Sequence, residues 1–196
     1  MPRRGFITAS TFPDLMTHGK GKEEFGKTAM RHIEQLALDL LDADRDDEIT
    51  AESLEWGKEQ EDNARFVYAG RTLADVRESG FGVSKELPYV GGTMDGLVGP
   101  DGGIEIKCPR SSQKHLFHFD EHCAEYEYQA QGYLWIFGLK WIDFISYDPR
   151  CPSQYQLMIK RVEPNAGIIS ALQERCKLAH AKAIELVNSV RSANAQ

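Results

Sequence analysis

Residues 92–109 constrain the fold of this chain more than any other segment. Two short strand-like stretches, 93–99 and 103–108, are separated by a turn rich in glycine, which is typical of a β-hairpin. We expect Gly99 to lie opposite Gly103, with the three residues between them forming the loop. This register decides which side chains of the two strands share a face.

The charged side chains of this hairpin are expected on one face. In the expected register Asp95 lies opposite Lys107, and Glu105 lies two positions before Lys107 on the same strand. Side chains along a strand alternate between its two faces, so these three point the same way. Ile104 and Ile106 then point the other way, into the core. The sequence therefore predicts two carboxylates and one ammonium around a single point.

This combination is typical of a site for a divalent cation and a phosphodiester. Mg²⁺ and Mn²⁺ prefer oxygen ligands, and Asp95, Glu105 and the backbone carbonyl of Ile106 would supply them. Lys107 would orient or help to activate the attacking water and would stabilise the charge that develops on the phosphate. We therefore favour a metal-dependent nuclease. The alternative is a surface hairpin that carries an ordinary Glu–Lys pair on its solvent face.

A predicted helix adds a third carboxylate to this region. On a helix that Thr50 is expected to cap, Glu61 shares a face with Ala64 and Tyr68, so it points toward the interior. The alternative is a simple ion pair at i,i+4 between Glu61 and Arg65.

A second predicted helix, over about 121–138, presents an amide and a phenol. Gln129 and Tyr133 are spaced i,i+4 on it and share a face with Tyr126. At these positions they could hydrogen-bond a phosphate or a metal-bound water. The alternative is that they are interface polar residues with no chemical role.

The order of the predicted elements indicates an α/β fold with a central mixed β-sheet flanked by α-helices. Apolar residues at helical spacing predict further helices over about 25–41 and 165–190, and the apolar segment 141–147 predicts a central strand. Strands that alternate with helices in this way favour a mixed sheet covered by helices. A length of 196 residues is that of one domain over 1–196.

The distribution of charge is compatible with DNA binding although the net charge is −7. Residues 1–31 hold six basic and three acidic groups, whereas residues 34–62 hold twelve acidic groups. Phosphate contacts act locally, over a Debye length of about 10 Å, so a basic edge can bind DNA beside an acidic body.

The sequence also indicates where the protein works. It contains no apolar run long enough to span a membrane, and its N-terminal residues lack the apolar core of a secretory signal. Its four cysteines are scattered, which favours reduced thiols in a cytoplasmic protein.

Two alternatives to an exonuclease arise from the sequence. His115, His118 and His122 are spaced i, i+3, i+7 with Cys123 adjacent, so on one helix they could bind zinc and stabilise a binding module without catalysis. The other alternative is an endonuclease, because the same hairpin chemistry serves both kinds of cleavage.

Five segments in order resemble phage lambda exonuclease and the related viral alkaline exonucleases, the YqaJ-type recombination nucleases of the restriction-endonuclease-like superfamily. They are residues 3–10, 55–61, 93–96, 105–109 and 129–133. The resemblance implies a restriction-endonuclease-like core and a Mg²⁺-dependent 5′→3′ exonuclease. Such an enzyme degrades one strand of linear double-stranded DNA from 5′-phosphorylated ends and leaves 3′ single-stranded tails. It further implies a homotrimeric ring, a single-strand-annealing recombinase as partner, and a phage or prophage protein in the bacterial cytoplasm.

The resemblance also implies roles for individual residues. Asp95 and Glu105 would bind the metal, Glu61 would hold a metal or its water, and Lys107 would be the catalytic lysine. Both Gln129 and Gln131 fit the family's Gln motif, and the former is favoured for the catalytic site. Arg3 and Ser10 match positions that grip the terminal 5′ phosphate. The full set expected to contact DNA is Arg3, Ser10, Thr93, Gln131 and Tyr133.

Overall fold

The computed structural model describes residues 3–21, 23–43 and 51–193, and the side chains of 51–55 and 58 are outside this description. The helices within these ranges are α1 (Phe12–Leu15), α2 (Lys27–Leu40), α3 (Ala51–Thr72), α4 (Ser112–Phe117), α5 (Phe119–Glu125), α6 (Glu127–Phe137) and α7 (Ala166–Ala193). The strands are β1 (Ile7–Thr8), β2 (Val76–Arg77), β3 (Gly82–Val83), β4 (Val90–Gly92), β5 (Gly96–Val98), β6 (Gly102–Lys107), β7 (Trp141–Tyr147) and β8 (Leu157–Val162). No helix within these ranges has the length and apolarity to cross a membrane.

The strands form two mixed sheets. The larger sheet has the order β2-β5-β6-β7-β8, in which β6 and β7 are parallel and the other neighbours are antiparallel. The smaller sheet has the order β1-β4-β3, with β1 parallel to β4. Strand β7 is interior, as its apolar sequence predicts. The predicted α/β fold, with a central mixed sheet flanked by helices, is confirmed, and a single domain over 1–196 stays a prediction.

Strand β6 separates two environments because its side chains alternate. Ile104 and Ile106 pack against Ala64 and Tyr68 of α3 in one buried cluster. The opposite face of β6 carries Glu105, which is directed toward α6. The expected division between apolar and charged faces is therefore confirmed, and α3 and α6 enclose the strand from its two sides.

The register of the hairpin differs from the prediction by two residues. Leu97 pairs with Gly103, where the prediction placed Gly99. Gly99 instead begins the loop with a φ of +57°, a conformation that glycine adopts without strain. A shift of two residues leaves every side chain on its own face, so the predicted grouping survives. Continued by one position, the observed register sets Asp95 opposite Glu105 rather than Lys107.

One predicted helix is divided in the structure, and the expected cap of another falls outside the described residues. The helix predicted over 121–138 is broken at Tyr126, where α5 ends and α6 begins. At this break the Tyr126 ring stacks on Phe144 with 5.8 Å between centroids. Thr50, the expected cap of the helix that carries Glu61, lies outside the described residues.

The C-terminal helix fixes the N-terminal part of the chain through one buried cation. Arg175 on α7 is 6% exposed, and its guanidinium donates to the carbonyls of Leu15 (2.8 Å), Thr17 (2.7 Å) and Glu24 (2.9 Å). It also lies 4.0 Å from the centre of the Phe25 ring. The loop after α1 is therefore held against α7 by charge-assisted bonds to its own backbone.

We expect Arg175→Leu to lower the free energy of unfolding by about 3 kcal/mol, because one buried and two partly buried hydrogen bonds to carbonyls are lost at once. Equilibrium unfolding in urea measures this change. Lys177→Leu is the matched control, since Lys177 lies on the same helix with an exposed side chain paired to Glu174. Equal stability of the two variants would contradict a structural role for Arg175.

Candidate active site

The candidate site lies where β5 and β6 meet α3 and α6. Asp95 immediately precedes β5, Glu105 and Lys107 lie on β6, and Gln129 faces them from α6. A glycine lets α6 come this close, because a Cβ on Gly92 would lie 2.7 Å from the Tyr133 ring. The structure thus brings the charged side chains of the hairpin together with the amide of the 121–138 segment.

Glu105 is the centre of the site. Its side chain is 2% exposed, and its Oε1 accepts from Lys107 Nζ and from Gln129 Nε2, each at 2.8 Å. Its Oε2 is buried and has no hydrogen-bond partner. Asp95 Oδ2 accepts from the backbone N–H of Ile106 at 2.7 Å. A buried carboxylate oxygen without a donor is unusual and indicates a place for a positively charged ligand.

Burial and mutual repulsion shift the ionisation of these carboxylates. Burial, and then the charge of Glu105, raise the pKa of Asp95 to about 7. Burial also raises the pKa of Glu105, although the Lys107 ammonium opposes this shift. The pKa of Glu61 is raised by burial and by Asp95. The site therefore holds more negative charge than its own cations neutralise.

Lys107 is held as a cation. Burial alone would lower its pKa, but Glu105 and Asp95 outweigh that effect and hold the pKa of Lys107 above its usual value. Its Nζ also lies 4.4 Å from the centre of the Tyr126 ring, within range of a cation–π interaction. Sequence reasoning placed Tyr126 on this face without a contact, and the structure supplies one.

The amide and phenol of α6 form a chain of hydrogen bonds behind Glu105. Gln129 Nε2 also donates to Tyr133 Oη at 3.2 Å, and Tyr133 Oη donates to the carbonyl of Thr93 at 2.8 Å. Gln129 and Tyr133 are therefore where they were predicted. Thr93 joins this chain through its backbone oxygen.

Glu61 lies near the candidate site and also forms the predicted ion pair with Arg65. It is close enough for Asp95 to shift its pKa, and its Oε1 accepts from Arg65 Nη2 at 2.9 Å. Arg65 Nε donates in addition to the Asp95 carbonyl at 3.0 Å, so the arginine links α3 to the hairpin. Sequence reasoning missed this second role because it depends on how closely the helix approaches the sheet.

Gln131 lies away from this site, so its expected contact with DNA does not fit the structure. Its side chain is 2% exposed, its Nε2 donates to the Glu163 carbonyl (2.9 Å), and its Oε1 accepts from the Asn165 N–H (2.8 Å). Two residues along a helix turn a side chain by about 200°, so Gln129 and Gln131 face opposite directions. Gln131 instead joins α6 to the start of α7.

Arg3 and Ser10 line a separate cavity of about 310 Å³ together with His32 and Gln35. Arg3 lies near enough to Tyr133 for its charge to affect the pKa of that phenol, which burial raises. The cavity is therefore next to the α6 end of the candidate site.

The histidines do not gather into a zinc site. His115 is fully buried, with Nδ1 at 2.8 Å from Ser146 Oγ and Nε2 at 2.8 Å from the Tyr155 carbonyl. His118 falls in the break between α4 and α5, so the helical spacing is interrupted. Across the described ranges, no three or more His, Cys, Asp or Glu side chains form a ready set of metal ligands. A cation at Asp95 and Glu105 would thus need backbone and water oxygens as well.

Comparisons with known proteins identify the family and support the fold. The sequence model of the YqaJ-like viral recombinase domain matches residues 2–140. The alkaline exonuclease LHK-Exo from Laribacter hongkongensis is 29% identical, with a TM-score of 0.86 over 98% of this chain and 95% of that chain. LHK-Exo in complex with dAMP is 28% identical, with the same TM-score and coverage. A phage-related exonuclease from Haemophilus somnus 129PT shares the fold at 17% identity, with a TM-score of 0.77 over 94% of this chain and 96% of that chain. No curated relative matches the chain significantly.

We expect Asp95→Asn to stabilise the protein when divalent metal is removed with EDTA, by about 1–3 kcal/mol near pH 8. The unfolded chain loses the Asp95 proton above pH 3.8, whereas the folded chain keeps it until about pH 7. This group's contribution to stability therefore falls as the pH rises through that window. Asn keeps an oxygen for the Ile106 N–H and removes the charge.

Urea unfolding of both proteins between about pH 5 and pH 8 checks this expectation. The stability difference between the variant and the wild type should grow with pH. A difference that stays constant or shrinks would mean that Asp95 is not ionised against repulsion in the folded state.

Proposed function

Because the chain belongs to the YqaJ-like viral recombinase family, we propose that it is a Mg²⁺-dependent exonuclease. It degrades one strand of linear double-stranded DNA in the 5′→3′ direction and leaves a 3′ single-stranded tail. The single observation that carries the proposal is the buried cluster in which Asp95, Glu105 and Lys107 share one face of the hairpin. The likeness to the alkaline exonuclease LHK-Exo supports the choice of an exonuclease within this chemistry.

The donors present fit a hard divalent cation. Glu105 Oε2 has no other partner, and Asp95 carries a charge that its surroundings destabilise. The Ile106 carbonyl is the proposed backbone ligand, and Glu61 would act directly or through a water. Magnesium keeps several waters, so it does not need a third side chain, and Mn²⁺ would fit the same oxygens. When bound, the ion would lower the pKa of a water and neutralise charge on the scissile phosphate.

The chain's own residues then position the reaction. Lys107 stays protonated, so it donates to the attacking water or to the phosphate and stabilises developing negative charge. Gln129 fixes the rotamer of Glu105, and Tyr133 fixes Gln129 through their hydrogen bond. Arg65 holds Glu61 and the Asp95 backbone together.

The cavity lined by Arg3 and Ser10 is the proposed seat of the terminal 5′ phosphate. A guanidinium offers several donors in a planar fork, and a hydroxyl adds another, which together suit a phosphate group. Thr93 and Tyr133 lie between this cavity and Glu105 and are proposed to border the DNA strand.

The wider setting of this enzyme is part of the proposal. Three copies would form a ring around DNA, with the acidic surface outside and a basic lining within, which would reconcile the net charge of −7 with a DNA substrate. The 3′ tails would pass to a single-strand-annealing recombinase in the cytoplasm of a bacterial host of a phage or prophage. An endonuclease of the same fold is the alternative.

Digestion of a 5′-phosphorylated linear duplex beside a covalently closed circle, each with Mg²⁺, tests the proposed activity. We expect loss of the linear DNA only, and no cleavage by Asp95→Ala or Lys107→Ala, because each removes a charge from the site. Nicking or linearisation of the circle would favour the endonuclease. No cleavage of either DNA with several divalent metals would refute nuclease function.

Arg3→Ala should reduce the preference for 5′-phosphorylated over 5′-hydroxyl ends several-fold, because a phosphate contact of this kind contributes about 1 kcal/mol or more. Initial rates on the two DNA ends measure the preference. Arg77→Ala is the control, since Arg77 is an exposed arginine that donates to the Gly99 carbonyl on the hairpin loop. Equal loss of rate on both ends would contradict a 5′-phosphate grip.

A further inference from the structure

A second cavity opens from the candidate active site on the side of Tyr126 and shares Glu61, Ile106 and Lys107 with it. It has a volume of about 520 Å³, and we call it the basic pocket. Its polar lining includes Lys107, Arg110, Ser111, Lys114, His122 and Tyr126. Among the described residues of the lining, three side chains are cations and Glu61 is the only carboxylate. Such a balance favours an anionic ligand.

The basic pocket and the cavity of Arg3 lie toward different ends of the helical stretch between Tyr126 and Tyr133. The two cavities have no lining residue in common. Arg3 acts on Tyr133, whereas Tyr126 lines the basic pocket, and Gln129 between them on α6 bonds to Glu105. Seven residues of helix place Tyr126 and Tyr133 about 10 Å apart along its axis. A ligand that joined both cavities would therefore cross the carboxylates.

A buried imidazole in the basic pocket has no protein partner for one of its nitrogens. His122 is 2% exposed and lines the pocket, and its Nδ1 is without a hydrogen bond. The ring is held edge-on by Tyr126 (5.4 Å between centroids) and Phe144 (5.6 Å), so packing fixes its orientation. Buried polar atoms in proteins are nearly always hydrogen-bonded, so an unpartnered one beside a cavity points to a ligand.

Lys114 can bind such a ligand with little loss of stability. It is partly exposed, and its Nζ bonds to Glu125 at 2.6 Å. Surface ion pairs of this kind contribute little to stability, so a phosphate that enters the pocket can replace Glu125 as the partner of Lys114.

We propose that the basic pocket binds the backbone phosphate on the 3′ side of the scissile bond, in the strand that is being degraded. Lys114, Arg110 and His122 are its contacts. The assignment rests on the proposed exonuclease function: if the terminal 5′ phosphate sits with Arg3 and Ser10, the strand passes Glu105 and continues into the basic pocket. The pocket therefore holds the retained part of the strand while the terminal nucleotide is removed.

Binding of a 5′-phosphorylated duplex, measured by fluorescence anisotropy over a range of salt concentrations, tests the proposal. Asp95→Asn is the background, so that cleavage does not interfere. We expect Lys114→Ala to weaken affinity by about 3- to 10-fold and to reduce the salt-dependence slope by about one, because one phosphate contact is lost. Lys140→Ala is the matched control, since Lys140 is an exposed lysine paired with Asp101 at 2.8 Å on the hairpin loop. Identical affinity and slope for the two variants would overturn the proposal.

His122→Phe separates ligand binding from packing. Phe keeps the ring contacts with Tyr126 and Phe144 and removes the unpartnered nitrogen, so stability should be unchanged or higher. In the otherwise wild-type enzyme we expect KM for DNA to rise several-fold with little change in kcat. An unchanged KM would overturn the role of His122.

The released mononucleotide is the other source of a phosphate for this pocket. If Lys114→Ala relieves inhibition by added 5′-mononucleotide and leaves duplex affinity unaltered, the pocket holds product and the proposal is wrong. Failure of the proposed function is a separate result: the wild type would then cleave no DNA or would also cut the closed circle, whatever Lys114→Ala does to binding.

Discussion

The buried carboxylate of Glu105 is the constraint on which the rest of the site depends. A charge that is removed from water must be matched by an opposite charge or by donors, or the group becomes neutral. Lys107 and Gln129 satisfy one oxygen and leave the other bare. To supply the Gln129 amide, α6 must lie close to the sheets, and Gly92 on β4 leaves room for its Tyr133 ring. The position of a helix, the identity of a glycine and the rotamer of a lysine are thus tied to one buried carboxyl group.

The same carboxylate explains why the site favours a bound cation, since the protein's own cations do not neutralise its negative charge. Asp95 stands beside Glu105 at the start of the neighbouring strand, and the charge of Glu105 makes Asp95 harder to ionise, while Glu61 does the same to Glu105. Lys107 does not resolve this, because it already shares its charge between Glu105 and the Tyr126 ring. Arg65 binds the backbone of Asp95 rather than its carboxylate. Once Asp95 is ionised, the folded chain therefore holds a local excess of negative charge, at a cost in stability that a bound cation would remove.

The sequence predicted this site better than it predicted the contacts around it. The shared face of Asp95 and Glu105 follows from the two-residue period of a strand, and that inference survives a register error of two residues. Gln129 could be chosen over Gln131 because only the former pairs with Tyr133 at helical spacing. Links that span elements gave no such signal. Arg65 contacts Asp95 because of the way α3 packs against the sheet. The histidines do not come together because α4 ends before His118. Neither feature can be predicted from the local spacing of residues.

The cavity that lies nearer to the carboxylates has more cations in its wall, whatever the net charge of the chain. A phosphate in the cavity of Arg3 would lie beyond Tyr133 from the carboxylates, and there one arginine with polar neighbours lines the wall. A phosphate in the basic pocket would lie beside Glu61 and close to Glu105, which repel it, and there the wall carries three cations. Because Coulomb interactions weaken with distance and with salt, only nearby groups decide whether a phosphate binds. A protein with a negative net charge can therefore bind DNA phosphates on both sides of its active-site carboxylates, provided that cations lie next to each phosphate.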